Sequence, residues 1–266
     1  MFKSINRVSE RVSPSVRDRL GRIDTATLSD AMGRHGAMSH RMRPLDLGSK
    51  LVGTAVTAHC PEGDNLMVHK ALQLGEPGDV LVVDTGGTYD ATVLGRNMSL
   101  FAHRVGFVGA VIDGSVRDRS GIMAIPFPVF CVGIVPRSAV KHSVGSVNVP
   151  VTCGGVVVSP GDVIVGDEDG VVVVPRGIAE QVAEAAEARL RMEEQQKQDV
   201  QDEDLPLEIL YGRTWVDERM RPALAEPFQI PGTLASLPEA APPTAGGAAT
   251  PSAVAGASTD DGGRAS

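Results

Sequence analysis

Aromatic side chains are scarce in this chain. Phe, Tyr and Trp make up 3% of its 266 residues, although hydrophobic residues make up 42%. A sizeable core is therefore available, and it has to be built from Val, Ala, Leu and Ile. Positive charge is short as well: 25 Lys and Arg face 33 Asp and Glu, for a formal charge of −8. The chain has no basic tract of the kind that tracks phosphates, which argues against a nucleic-acid partner. The three cysteines, Cys60, Cys131 and Cys153, are an odd number without metal-ligand spacing. They read as reduced thiols of a cytoplasmic protein. No apolar run approaches the ~20 residues that cross a bilayer, so no membrane association is expected. The opening MFKSINRVSERVS lacks the apolar stretch of a secretory leader. The six histidines show neither HxH nor HExxH spacing. Only His69 and His103, on expected helices flanking the crevice described below, stand out among them.

What is there is an alternation of helical and extended signals. Residues 1–20 read as an N-terminal extension and 21–232 as one domain with a C-terminal helix and extension. Residues 233–266, rich in Ala, Pro, Gly, Ser and Thr, bury too little to offset their ordering entropy and are expected to be a disordered tail. Helices are expected over 23–36, capped by Asp24 or Thr25 and ended by Gly36, over 64–75, capped by Asp64, and over 95–106, opened by Gly95. The last carries Met98, Phe101, Ala102 and Val105 at helical spacing. A short helix is expected through 117–123. Strands are expected at 51–60, 78–84, 107–114 and 128–133. This β-α-β-α-β order predicts an α/β fold, layered α/β/α, with a largely parallel central sheet. The Val-rich segments from 148 to 174 suggest a further antiparallel or swivelled β-layer. A long polar helix over 178–198 pairs Glu187 with Arg191 and Glu193 with Lys197 at i,i+4. Its thin apolar stripe suggests that it lies over a neighbouring subunit.

The stretch GAVIDGSVRDRSG (109–121) is the first candidate for chemistry. An apolar strand ends by delivering Arg117 and Asp118 side by side, and ligands of open α/β sheets sit beyond the carboxyl ends of their strands. A guanidinium fork suits a carboxylate or enolate oxygen. A carboxylate is a hard oxygen ligand for a divalent cation. The second candidate is TGGTYDATVLGRNMS (85–99), where Gly95 opens a helix. The amides of Arg96, Asn97 and Met98 are then unpaired donors at the positive end of the helix dipole. Two adjacent crossovers would aim at one crevice, which favours a small anionic substrate. DEDG (167–170) has the look of a cation loop but lacks the later glutamate of an EF-hand, so it reads as a turn between strands.

These motifs together resemble a known family. The series G-x-A-x-T (53–57), DN (64–65), PGDVLVVD (77–84), Gly95 followed by GAVIDGSVRD (109–118), and PVTCGGVVVSPGDVIVGDEDGVVVVP (150–175) is similar to the class II pyruvate aldolases. Those enzymes cleave 4-hydroxy-4-methyl-2-oxoglutarate and 4-carboxy-4-hydroxy-2-oxoadipate. The same superfamily holds the ribonuclease E regulator proteins. The resemblance spans roughly residues 20–215. It implies a fold like the swivelling phosphohistidine domains, assembled as a homotrimer or hexamer, and a divalent cation, Mg²⁺ or Mn²⁺, held by one aspartate and several waters. Carried over, the metal ligand is Asp118, and Arg117 binds the keto or enolate oxygen. The amides from Gly95 to Met98 bind the pyruvyl carboxylate. An acid from a neighbouring subunit's C-terminal helix, for which Glu193 and Glu194 are the nearest matches, touches a metal-bound water. The resemblance further implies retro-aldol release of pyruvate in aromatic catabolism, with oxaloacetate decarboxylation as a side activity. A non-catalytic, protein-binding regulator and a lyase for another oxo acid stand as alternatives. One departure is plain: many aldolase relatives follow the helix-opening glycine with an acid, where this chain has Arg96. A second cation there suits a more highly charged acid, a changed substrate or a lost activity.

Overall fold

A computed structural model describes residues 3–201. The tail expected at 233–266 lies outside the described residues. In chain order the elements are α1 (Pro14–Leu20), α2 (Thr25–Ala31), β1 (Arg43–Pro44), β2 (Leu51–His59), α3 (Leu66–Leu74), β3 (Asp79–Asp84), β4 (Thr92–Leu94), α4 (Arg96–Arg104), β5 (Gly109–Val116), α5 (Arg119–Met123), β6 (Val129–Ile134), β7 (Ser146–Val147), β8 (Val151–Cys153), β9 (Val156–Val158), β10 (Val163–Gly166), β11 (Val171–Val174) and α6 (Ala179–Gln201).

The main sheet runs β1-β6-β5-β3-β2-β10-β11, with β4 beside β5 and β7 beside β2. The pairs β2–β3, β3–β5, β5–β6 and β4–β5 are parallel. The flanks β1, β7, β10 and β11 pair antiparallel. The fold is thus the expected α/β arrangement with a largely parallel centre. The Val-rich segment divides: β10 and β11 extend the main sheet beyond β2, and only β8 and β9 form a separate two-stranded ribbon.

Parallel strands read as unbroken apolar runs because both faces are covered. Alternation sorts each run into two cores. On β3, Leu81 and Val83 enter the core beneath α3 and α4, while Val80 and Val82 enter the one on the opposite face with Met38, Met42 and Phe130. On β5, Ala110 and Ile112 divide from Val111 in the same way. A third cluster joins β10 and β11 to α1, α2 and α6 through Leu20, Leu28, Val172, Val182 and Ala186. Within the described part of the N-terminal segment, α1 buries Val16 and Leu20 there.

Several local expectations change. The helix expected over 23–36 ends at Ala31, because Gly33 and Arg34 turn left-handed (φ 68° and 70°). Asp24 is its N-cap, accepting from the Thr27 amide at 2.7 Å. Asn65, not Asp64, holds the N-cap position of α3. Phe101 of α4 is half exposed rather than part of a buried stripe. The ion pairs of α6 differ from the expected i,i+4 set: Glu187 is taken by Arg19 (2.7 Å), and Glu193 by Arg189 (2.9 Å). The first half of α6 packs on α1 and α2 of its own chain through Val182, Ala183 and Ala186.

Candidate active site

The site is assembled by a three-residue strand that sequence patterning does not reveal. β4 lies parallel to the last residues of β5, with Thr92 opposite Ser115 and Leu94 opposite Val116. The Arg117 amide then donates to the Leu94 carbonyl at 3.1 Å. The chain therefore leaves both strands at one level, at their carboxyl ends. Gly95 emerges from β4 and Arg117-Asp118 from β5, and the two turns touch. A Cβ on Gly95 would stand 3.1 Å from Asp118 Oδ2 and 3.2 Å from Arg117 Cγ. Gly95 is extended (φ −142°), so glycine is required there by close approach and not by backbone angle.

Asp118 is one of three non-glycine residues with positive φ among the described residues (60°). A left-handed residue costs roughly 1 kcal/mol, less for Asp than for bulkier types. It occupies the N-cap position of α5, yet its side chain makes no capping bond. Its contacts are long: the Arg96 amide at 3.4 Å and Arg117 Nε at 3.8 Å from Oδ2. The carboxylate is half exposed (51%). Its lone pairs are therefore free for a hard cation. Among the described residues, no group of three His, Cys, Asp or Glu side chains converges. A metal on Asp118 thus fits a site with one protein ligand and the rest of the shell from water or substrate.

Around these turns lies a crevice of about 270 Å³, at or just below the low end of small-ligand pockets. Asn97 and Met98 line it at the opening of α4, opposite Arg117 and Asp118. Ser99 donates to the Gly95 carbonyl at 3.0 Å, the first bond of α4. The Asn97 and Met98 amides find no acceptor among the described residues and remain donors. The Arg96 side chain behaves differently from its neighbours: its stem lies over Gly121 of α5 and lines no part of the crevice. The Arg117 guanidinium is bonded to Ser138 Oγ, on the loop after β6.

On the remaining wall, sequence reasoning anticipated His69 alone. Asn65 and His69 of α3, and Ser138 and Lys141 of the loop, face the crevice from distant parts of the chain. That loop is fastened by Asp64, a fully buried carboxylate accepting from the amides of Leu66, His142 and Ser143, each at 2.7 Å. Burial alone would raise its pKa, but the three amides outweigh it and hold the group below the usual carboxylate range. The only advance signals were the adjacent DN and the histidine one helical turn on. His103 does not line the crevice; it is exposed on the last turn of α4. Glu193 and Glu194 do not line it within the chain, and Glu194 pairs with Lys197 at 3.7 Å.

The competing acidic loop is a structural turn. Asp167 accepts from the Thr25 amide (2.8 Å), the Thr25 hydroxyl (2.7 Å) and the Asp169 amide (3.0 Å). The thiols are all buried and unpaired. Burial pushes Cys60 up to about 12 and Cys131 to about 11, so neither is a nucleophile near neutrality.

The described geometry coincides with a family match. The RraA-like profile Aldolase/RraA covers residues 25–173, more than half of the chain. The chain belongs to the Aldolase/RraA family. Among its relatives within Aldolase/RraA is a Halalkalibacterium halodurans protein provisionally named 4-hydroxy-4-methyl-2-oxoglutarate aldolase. It is 34% identical over 201 residues, spanning 76% of this chain and 93% of the relative. The 4-hydroxy-4-methyl-2-oxoglutarate aldolase of Thermus thermophilus is 32% identical over 57% of this chain and 92% of its own. Among solved structures, Streptomyces coelicolor RraAS2, described as an unusual member of the RNase ES inhibitor RraA family, superposes with a TM-score of 0.65. The two are 31% identical over 71% of this chain and 99% of that one. The fold is therefore that of the Aldolase/RraA family. No helix among the described residues is long and apolar enough to cross a membrane.

Proposed function

We propose that this chain is a divalent-metal-dependent lyase that cleaves a 4-hydroxy-2-oxo acid, such as 4-hydroxy-4-methyl-2-oxoglutarate, into pyruvate and a second oxo acid. The observation that carries this reading is the contact of the Gly95 turn with Arg117 and Asp118 on one small crevice. The relatives named as aldolases support it.

Each group has a task in such a reaction. The free amides of Asn97 and Met98 receive the substrate carboxylate at the positive end of α4. Arg117, steadied by Ser138, donates to the 2-oxo oxygen, where negative charge develops as the C3–C4 bond breaks. Asp118 would hold Mg²⁺ or Mn²⁺, which when bound supplies Lewis-acid stabilisation of that charge. The same electron sink serves oxaloacetate decarboxylation, because loss of CO₂ gives the same enolate. The backbone role of residue 96 is independent of its side chain, so Arg96 is compatible with carboxylate binding.

The reading extends to a homo-oligomer, a trimer or hexamer. Met192 and Val200 are 64% and 69% exposed on the distal half of α6, which supports a neighbouring copy covering it and bringing Glu193 or Glu194 toward a crevice. Sedimentation checks this directly.

The deciding experiment measures pyruvate release from a panel of 4-hydroxy-2-oxo acids and oxaloacetate, with Mg²⁺, with Mn²⁺ and with EDTA. Metal-dependent release is expected, and its absence from every acid rejects the proposal. The likeness to RNase ES inhibitor proteins favours a second reading, a protein-binding regulator. Stoichiometric recovery of a ribonuclease on the metal-free protein would support it.

A further inference from the structure

The α3 wall of the crevice carries two buried polar atoms that nothing among the described residues satisfies. Among the described residues, Asn65 Oδ1 and His69 Nε2 are the side-chain atoms left in that condition. Leaving such a group unpaired costs about 1–3 kcal/mol, so two together on one wall call for a ligand. They lie one helical turn apart, at i and i+4, on the face that lines the crevice. Across from them are Arg117 and Asp118 and the opening of α4.

The chemistry of the missing ligand group follows from the bonds already made. Asn65 Nδ2 donates to the Val93 carbonyl at 3.1 Å, which leaves Oδ1 as the unpartnered acceptor. It therefore needs a donor. A carboxylate or a ketone offers none, whereas a hydroxyl does. The His69 pKa is lowered by burial and then by Lys141. The other charged groups on the crevice are Arg117 and Asp118, while α4 presents the neutral Asn97 and Met98. A neutral imidazole is a proton acceptor. Such bonds commonly close only in the substrate complex.

We propose that the His69 imidazole on this wall receives the C4 hydroxyl of the substrate and takes its single proton as the C3–C4 bond breaks, with Asn65 Oδ1 beside it accepting from a second donor such as a crevice water. This rests on the aldol reading above. The hydroxyl proton passes to His69. The O–H electron pair becomes the second bond of the new C4 carbonyl, and the C3–C4 pair becomes the pyruvate enolate. Solvent then protonates C3, and His69 returns its proton to solvent.

Oxaloacetate tests this, because its C3–C4 bond breaks without any hydroxyl to deprotonate. In the Mg²⁺-loaded protein, His69→Gln is expected to lower the ratio of 4-hydroxy-4-methyl-2-oxoglutarate cleavage to oxaloacetate decarboxylation by about 100-fold, the usual scale of general-base catalysis. Arg117→Ala is expected to depress both reactions and move the ratio far less. A ratio within about threefold of wild type in His69→Gln overturns the inference and leaves the aldol reading intact. A wild-type protein that releases pyruvate from neither acid fails the aldol reading, and the inference falls with it. The second measurement needs no folded variant. Wild-type kcat/KM for cleavage should fall as acid protonates a group titrating below the ordinary histidine value. The absence of any such break below the ordinary histidine value overturns the assignment.

Discussion

Two turns of this protein each carry an aspartate, and the two carboxylates have opposite fates. At the β10–β11 turn, Asp167 spends its oxygens on the Thr25 amide and hydroxyl and on the Asp169 amide. That carboxylate stitches the start of α2 to the edge of the sheet. At the β5–α5 turn, Asp118 sits in a left-handed conformation and caps nothing. Its nearest donors are at 3.4 and 3.8 Å. An acid whose lone pairs are filled by the fold contributes to stability. An acid held in strain with lone pairs free is available for a ligand. Arg117 and Arg19 contrast in the same way: Arg19 is clasped by Glu180 and Glu187, while Arg117 is steadied by one serine hydroxyl at the crevice rim.

The contrast is broken most forcefully at Arg117 and Asp118. Replacing either with Ala should reduce kcat/KM for pyruvate release by more than 100-fold, with little change in melting temperature. Retention of more than about a tenth of wild-type kcat/KM, a loss under ~1.4 kcal/mol, contradicts the assignment. Asp167→Ala should show the reverse. Urea unfolding should reveal a loss of about 1–3 kcal/mol, while kcat/KM stays within about threefold. A large catalytic defect in a folded Asp167→Ala protein would erase the distinction between the two turns. Gly95→Ala sharpens it further. The backbone accepts any residue there, but the new methyl presses on Asp118 Oδ2 and the Arg117 stem. Steady-state kinetics should show a loss of about tenfold, ~1.4 kcal/mol, at unchanged stability. Unaltered kinetics would mean that the two turns are not in working contact.

The smallest effect concerns Asp64. Its folded-state pKa is depressed, so its stabilisation is fully present above the ordinary carboxylate value. That stabilisation is lost as pH falls below that value, through the depressed folded pKa. Acid titration of stability should show this slope in wild type and a shallower one in Asp64→Asn. Equal slopes would remove Asp64 as the fastener of the Lys141 loop.

Much of the fold was legible before any coordinates. The runs that became β2, β3, β5, β6, β10 and β11 are long enough and sufficiently rich in Val to declare themselves. Gly95 announced α4, and Arg117-Asp118 announced a site at a strand end. β4 was not legible, because three residues carry no periodicity and its pairing partner lies more than twenty positions away. The turn at Gly33 and Arg34 that shortens α2 was equally hidden. Of the α3 wall only His69 stood out, as a histidine on a helix beside the crevice, since a single Asn on an amphipathic helix does not differ in sequence from a surface residue. The significance of both rests on which polar atoms find partners, and those partners come from β4 and the loop after β6.

The alternation of strands and helices, the aliphatic core and the chemical types gathered at residues 95–98 and 117–118 are properties of the chain's own order of residues. These follow from local composition and spacing, which every segment carries within itself. Packing settled the rest: that β4 docks beside β5, that Asp118 keeps its lone pairs while Asp167 spends them, and that Asn65 and His69 face the same crevice. Those outcomes depend on contacts between residues far apart in the chain, and hydrogen-bond satisfaction is a property of the packed whole.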